Sequence, residues 1–106
     1  MMVSERKNNR GKIQIMADIL YLCTSGIKKT HIMYKANLSY EQIHYYLNNL
    51  LSTGLILQDI SDGSILYRIT EKGREYLRYY YQLTELVREE EHVEIIRQEE
   101  DLSILA

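Results

Sequence analysis

From Thr70 to Ile96 the chain reads TEKGREYLRYYYQLTELVREEEHVEII, with no breaker stronger than Gly73, and no proline occurs anywhere in its 106 residues. Proline is the strongest helix-stopping signal a sequence can carry, so its absence permits one continuous helix here, capped by Thr70. At a rise of about 1.5 Å per residue that helix is about 40 Å long. A chain of 106 residues builds one core with at most one projecting element. The core therefore covers only the near half of the helix, and the far half needs a partner or stays in water.

The apolar positions of the far half do not select one seam. Tyr76, Tyr79, Leu83 and Leu86 follow 3, 4, 3 spacing, continued at Glu90 and Val93, while Tyr76, Tyr80, Leu83 and Val87 form an overlapping track. Leu77 and one or two of the tyrosines close the core, and the remaining stripe is assigned to a dimer. The competing reading is a monomer whose helix frays near Glu89, Glu90 and Glu91, a run most simply read as a solvated face. Beyond Ile96 apolar residues and acids mix without a clean period, so that tail extends the helix, folds back or stays mobile.

Upstream, the periodicity predicts three shorter helices and a hairpin. From Lys12 to about Thr24, Ile13, Met16, Ala17, Leu20 and Cys23 share a helix face that Ile15, Ile19 and Leu22 widen, leaving Gln14, Asp18 and Tyr21 as a polar stripe. Ser25 and Gly26 end this helix. A short helix over 30–36 follows, with Thr30 as its cap and Ile32, Met33 and Ala36 inward. After a turn at Asn37 and Leu38, Ser39 opens a third helix, and Gln42 three residues later completes a capping box. Ile43, Leu47 and Leu50 form its inner face, Tyr46 and Leu51 its borders, and Gly54 closes it. The stretch LILQDISDGSILYRIT then reads as two strands around Ser61, Asp62, Gly63 and Ser64. The organisation is a flexible basic arm over 1–11, a domain over 12–75, a dimerisation helix over 76–98 and a tail over 99–106.

Three helices with a tight turn between the second and third, followed by a hairpin, is the element order of a winged helix-turn-helix, mainly α with a small β-hairpin. The run KKTHIMYKANLSYEQIHYYLNNLLSTGLI, followed by YRITEKGREYL, resembles the small archaeal winged-helix DNA-binding proteins that dimerise through a C-terminal antiparallel coiled coil, and their relatives among archaeal transcriptional regulators. The resemblance spans residues 12 to about 85. It implies double-stranded DNA as partner, contacted by the third helix and the wing, and a homodimer held by the last helix.

The charge distribution fits a partner on one side only. The chain carries −2 overall, but residues 1–58 hold seven Lys or Arg against three acids, residues 59–84 hold four against four, and residues 85–106 hold two against eight. The basic surface belongs to the N-terminal half. The third helix itself carries none of it. Its outward positions are Glu41, Tyr45, Asn48 and Ser52, flanked by Gln42, His44 and Asn49, and the family resembled often has lysines where His44 and Tyr45 stand here.

Asn and Gln amides match adenine, while Tyr, Ser and His reach phosphates or base edges, so Ser39, Tyr40, Gln42, His44, Tyr45 and Asn48 are the candidate groove contacts. Affinity for DNA comes largely from phosphate neutralisation, which this face cannot supply by itself. The cations must flank it. Lys28, Lys29 and Thr30 at the start of the second helix form a candidate backbone clamp, with Lys35 at its end. The wing tip is acidic, leaving Arg68 on the returning strand as its phosphate contact and arguing against deep insertion.

Other classes find little support. His31, His44 and His92 lie on separate elements without metal-ligand spacing, Cys23 sits in an apolar run as a small core residue, and no phosphate-cradling glycine loop occurs. Neither an enzyme nor a metal or cofactor is expected. No run approaches the roughly 18 apolar residues of a membrane span, and the N-terminus lacks a signal's apolar core, so a cytoplasmic, nucleoid-associated protein is expected. The rival reading is a winged helix that sets its tyrosine-rich third helix against another protein. An architectural binder with little sequence preference is a further variant.

Overall fold

The computed structural model describes the backbone over residues 10–105 and the side chains over residues 10–88. Helix α1 spans Lys12–Leu22 and runs into a 3-10 turn over Cys23–Ser25; α2 spans Lys29–Lys35, α3 Tyr40–Ser52, strands β1 and β2 Ile56–Ser61 and Ser64–Ile69, and α4 Glu71–Leu105. This is the winged helix-turn-helix order. The core is Ile15, Ile19 and Leu20 of α1, Ile32 of α2, Ile43, Leu47 and Leu50 of α3, Ile56, Tyr67 and Ile69 of the hairpin and Leu77 of α4, all buried. Each large aliphatic side chain so buried contributes about 1.5–3 kcal/mol.

Local chemistry sets most boundaries. Ser39 Oγ accepts from the Gln42 amide at 3.1 Å while Gln42 Oε1 accepts from the Ser39 amide at 2.9 Å, which is the capping box at the start of α3. Between α2 and α3 the chain reverses at Asn37, with φ 58°, a conformation Asn tolerates better than most residues. The two strands pair antiparallel from Ile56 opposite Ile69 to Ser61 opposite Ser64. Asp62 and Gly63 both have positive φ, 52° and 75°, the geometry of the two-residue turn that suits the twist of a hairpin. Thr70 caps α4 by accepting from the Gly73 amide at 3.1 Å, and its hydroxyl donates to the Gly54 carbonyl at 2.6 Å, tying the end of α3 to the start of α4.

Gly73 is placed for packing. A Cβ there would stand 2.3 Å from the Leu55 carbonyl oxygen and 2.6 Å from Ile69 Cγ1, so only glycine allows α4 to approach the base of the hairpin.

Several expectations need correction. Ile13 is 59% exposed instead of facing the core, because the apolar circumference of α1 is wider than the domain covers and Ile13 turns toward α4. The cap of α2 is Lys28, not Thr30, which lies within the first turn. The reason is a backbone bridge: Ile27 exchanges hydrogen bonds with Tyr67 at 3.1 and 2.8 Å, holding the chain extended up to Lys28. Arg10, expected in a flexible arm, is bound to Asp18 and to the Ala36 carbonyl. Residues 1–9 of that arm lie outside the described residues. Of the three courses left open for the tail, the structure has the first: the last helix continues through it to Leu105, and its 35 residues make it about 52 Å long. Val93, on the first seam, lies beyond the described side chains.

Candidate nucleic-acid interface

Along α3 the exposed side chains are Tyr40, Glu41, Tyr45, Asn48 and Ser52, with Gln42, His44 and Asn49 half-buried beside them; Tyr40 apart, this is the face the periodicity predicts. Two lysines from other elements reach onto it. Lys29, in the first turn of α2, places Nζ 3.4 Å from His44 Nε2 and 5.6 Å from the centroid of the Tyr40 ring, whose edge packs against His44. Lys12, the first residue of α1, donates from Nζ to the Tyr45 hydroxyl at 2.8 Å and stands 5.1 Å from that ring's centroid. The hydrogen bond to Tyr45 pushes the Lys12 pKa up, so the ammonium stays charged throughout the neutral range.

The result is a helix face without cations of its own that holds two from its neighbours. Each lysine fixes a tyrosine: Tyr45 is clamped between Lys12 and the edge of Tyr46, and Tyr40 between Lys29 and His44. A hydroxyl that accepts from an ammonium directs its own proton elsewhere, so the Lys12 and Tyr45 pair offers two donors to one anionic oxygen. Lys12 was not among the candidate contacts. It lies 33 residues from Tyr45 in the chain, and periodicity within single helices cannot join them.

A family model described as winged helix-turn-helix matches residues 9–88. The chain belongs to the winged helix-turn-helix family. A curated relative, the uncharacterized protein MJ0287 of Methanocaldococcus jannaschii, is 29% identical over 83 residues, covering 77% of this chain and 81% of the relative. Among solved structures, the chain is similar to Sso10a-2, a DNA-binding protein from Sulfolobus solfataricus, with 28% identity and a TM-score of 0.67 over 92% of this chain and 97% of that one. The S. aureus MepR–DNA complex shares the fold at 16% identity, with a TM-score of 0.64 over 97% and 86% of the two chains.

Within this winged helix-turn-helix, the other candidate residues separate. Lys28 and Thr30 are exposed at the start of α2 beside Lys29. Ser39 and Gln42 are engaged in the capping box, which leaves the Gln42 amide nitrogen for an outside partner. Lys35 instead lines a groove with Arg10, Asp18, Tyr21 and Tyr81, whose lining includes no residue of α3. Arg68 is not a wing cation waiting for phosphate. Its Nε donates to Asp59 Oδ2 at 2.7 Å, an Nη donates to the Ser25 carbonyl at 3.2 Å, and the guanidinium packs against Gly26. The ion pair offsets its charge and the carbonyl bond ties the hairpin to the end of α1. A two-residue turn puts Asp59 and Arg68 on the same face of the hairpin, so that pair was available from the register.

The wing tip beyond Arg68 carries Asp62 and the cross-strand pair Ile60 and Ile65, with Ile60 72% exposed. Among the described residues, no group of three His, Cys, Asp or Glu side chains could hold a metal ion. No described helix is long and apolar enough to cross a membrane.

Proposed function

We propose that the protein is a double-stranded DNA-binding regulator or chromatin-associated protein, acting as a homodimer with α3 in the major groove. The observation that carries this reading is the placement of Lys12 and Lys29 on the outward face of α3, each within reach of a fixed tyrosine. Lys28 adds a third positive charge at the start of α2, whose exposed amides favour phosphate. Asn48 and the free nitrogen of Gln42 are the adenine-matching groups, and His44, beside Lys29, is a further base contact. The similarity to Sso10a-2, itself a DNA-binding protein, supports the same partner class. No catalytic role is assigned to any residue.

The dimer rests on α4. Tyr79, Leu83, Leu86 and Val87 are all more than half exposed, and Ile13, Tyr76, Tyr79, Tyr80 and Leu83 line an almost wholly apolar groove of about 190 Å³. Exposed apolar surface of this kind on a long helix is what a second helix buries. Ile13, read as core from the sequence, extends that seam onto α1. Tyr76 is anchored at the seam's edge by a 3.1 Å bond from its hydroxyl to the Ile13 carbonyl.

Both parts are tested together by binding to random-sequence duplex DNA across a salt series and by solution mass. The expected result is a dimer whose affinity falls steeply with salt, and a Leu83→Glu variant that runs as a monomer and binds DNA at least tenfold more weakly. Affinity that is negligible or insensitive to salt, together with capture of a protein by the exposed Tyr40 and Tyr45 face of α3, favours the rival interaction module.

A further inference from the structure

The lysine that reaches His44 from α2 also fixes which of its two ring nitrogens can meet a base. Lys29 Nζ lies 3.4 Å from His44 Nε2. An ammonium only donates, so Nε2 accepts and the ring proton stands on Nδ1. Nδ1 has no hydrogen-bond partner among the described residues, and the Tyr40 ring holds the imidazole edge-on, with the centroids 4.4 Å apart. The pair therefore offers one N–H from the ring and the remaining protons of the ammonium, donors without an acceptor.

One turn back toward the start of α3, Glu41 is exposed and carries the opposite pattern. Residues three apart on a helix are neighbours, and a carboxylate only accepts. Glu41 has no ion-pair partner among the described residues, although Lys12 and Lys29 both reach this face. Against phosphate it costs affinity; what it matches is a base amine.

At the major-groove edge guanine presents two acceptors, N7 and O6, and cytosine one donor, the N4 amine, whereas adenine sets its N6 amine beside N7 and thymine offers a single oxygen beside a methyl group. Donors without an acceptor suit both atoms of guanine and are opposed by the adenine amine. We infer that His44 and Glu41 make α3 selective for G·C pairs, His44 with Lys29 on guanine O6 and N7 and Glu41 on a cytosine N4 amine. An A·T pair at that position leaves the ring N–H facing another donor, and the unmade bond is the source of the discrimination. The inference rests on α3 entering the major groove, as proposed above, and adds a base identity to that reading. Asn48 and Gln42 keep their match to adenine elsewhere in the site.

The full chain is titrated onto labelled duplexes of equal length by fluorescence anisotropy at pH 8, above the range where a free imidazole takes up a second proton. The duplexes are of mixed A·T pairs, of G·C pairs, of inosine·C pairs, which keep O6, N7 and the N4 amine, and of G·C pairs built with 7-deazaguanine, which lacks the N7 acceptor. The G·C duplex is expected to bind about tenfold more tightly than the A·T duplex, inosine to match guanine within about twofold, and 7-deazaguanine to lose most of the gain. His44→Phe keeps a ring against Tyr40 without either nitrogen and is expected to bring the G·C to A·T ratio below about twofold. Glu41→Ala should tighten binding to both duplexes, by removing a negative charge, while lowering that ratio. Equal affinity of the native chain for the G·C and A·T duplexes, or a ratio unchanged by 7-deazaguanine and by both variants, overturns the base assignment and leaves DNA binding standing. The absence of salt-dependent binding to any duplex overturns both.

Discussion

The outward face of α3 and the wing leave the same core and are the two surfaces a winged helix can offer to DNA, yet they treat charge in opposite ways. On α3 no residue is cationic, but Lys12 and Lys29 arrive from α1 and α2, held by tyrosines and a histidine and with no carboxylate partner among the described residues. On the wing the cation is built in, and Asp59 takes it. A lysine held by an uncharged aromatic ring keeps its charge available to phosphate, whereas an arginine bonded to a carboxylate has offset most of it. Counting basic residues per element would rank the wing above α3, although the wing's cation is the one bonded to a carboxylate.

The largest expected effect separates support from contact at the base of the wing. Gly73→Ala forces a methyl group against the Leu55 carbonyl and Ile69, costing about 3 kcal/mol or more and lowering the unfolding temperature by more than about 10 °C. Thermal unfolding followed by circular dichroism measures this, and an unchanged transition would mean α4 does not need the close approach.

Next comes Asp62→Lys, which reverses the charge at the wing tip. Binding to duplex DNA should tighten about threefold, and the slope of log affinity against log salt should steepen by about one. An unchanged slope would place the wing out of reach of the backbone and sharpen the contrast further.

The smallest effect on binding belongs to Arg68→Ala. DNA affinity should stay within about twofold of the native chain, while stability falls by about 0.5–1 kcal/mol, a value discounted because both partners of the ion pair are about two-fifths exposed. A tenfold loss of DNA affinity at unchanged stability would reverse the assignment of Arg68.

Cys23 supplies a control independent of either surface. Burial pushes its pKa up to about 12, so in the folded chain the thiol stays protonated in mild alkali while the unfolded chain loses that proton near 9. The folded state then binds more protons than the unfolded one, and stability from this group falls as pH rises from about 9 to about 12. Thiol-reactive reagent at pH 8 should label Cys23 only in denaturant, and rapid labelling of the folded protein would contradict the packing of α1.

What the sequence discloses here is what neighbouring residues decide. Ser39 and Gln42 lie three apart and cap their own helix; Asp62 and Gly63 turn their own hairpin; the 3.6-residue period of α3 separates Ile43, Leu47 and Leu50 from Tyr45 and Asn48. Contacts between elements are where local reading stops. The bridge from Ile27 to Tyr67 shifts the start of α2 by two residues from the expected cap, and nothing local to Thr30 reveals it. Ile13 satisfies the helical period of α1 as well as Leu20 does, but only the packing of α4 decides which of them is covered. The cation count pointed to the N-terminal half, without saying that Lys12 would join Lys29 on α3 while Lys35 turned elsewhere.

The most direct measurement compares the native chain with a Lys12→Ala, Lys29→Ala double variant by fluorescence anisotropy on one duplex across a salt series. With the fold verified intact, affinity should drop at least tenfold at low salt and the salt slope should shrink by about two, one for each phosphate contact removed. A double variant with the native slope would show that the borrowed lysines touch no phosphate and that α3 serves some other surface.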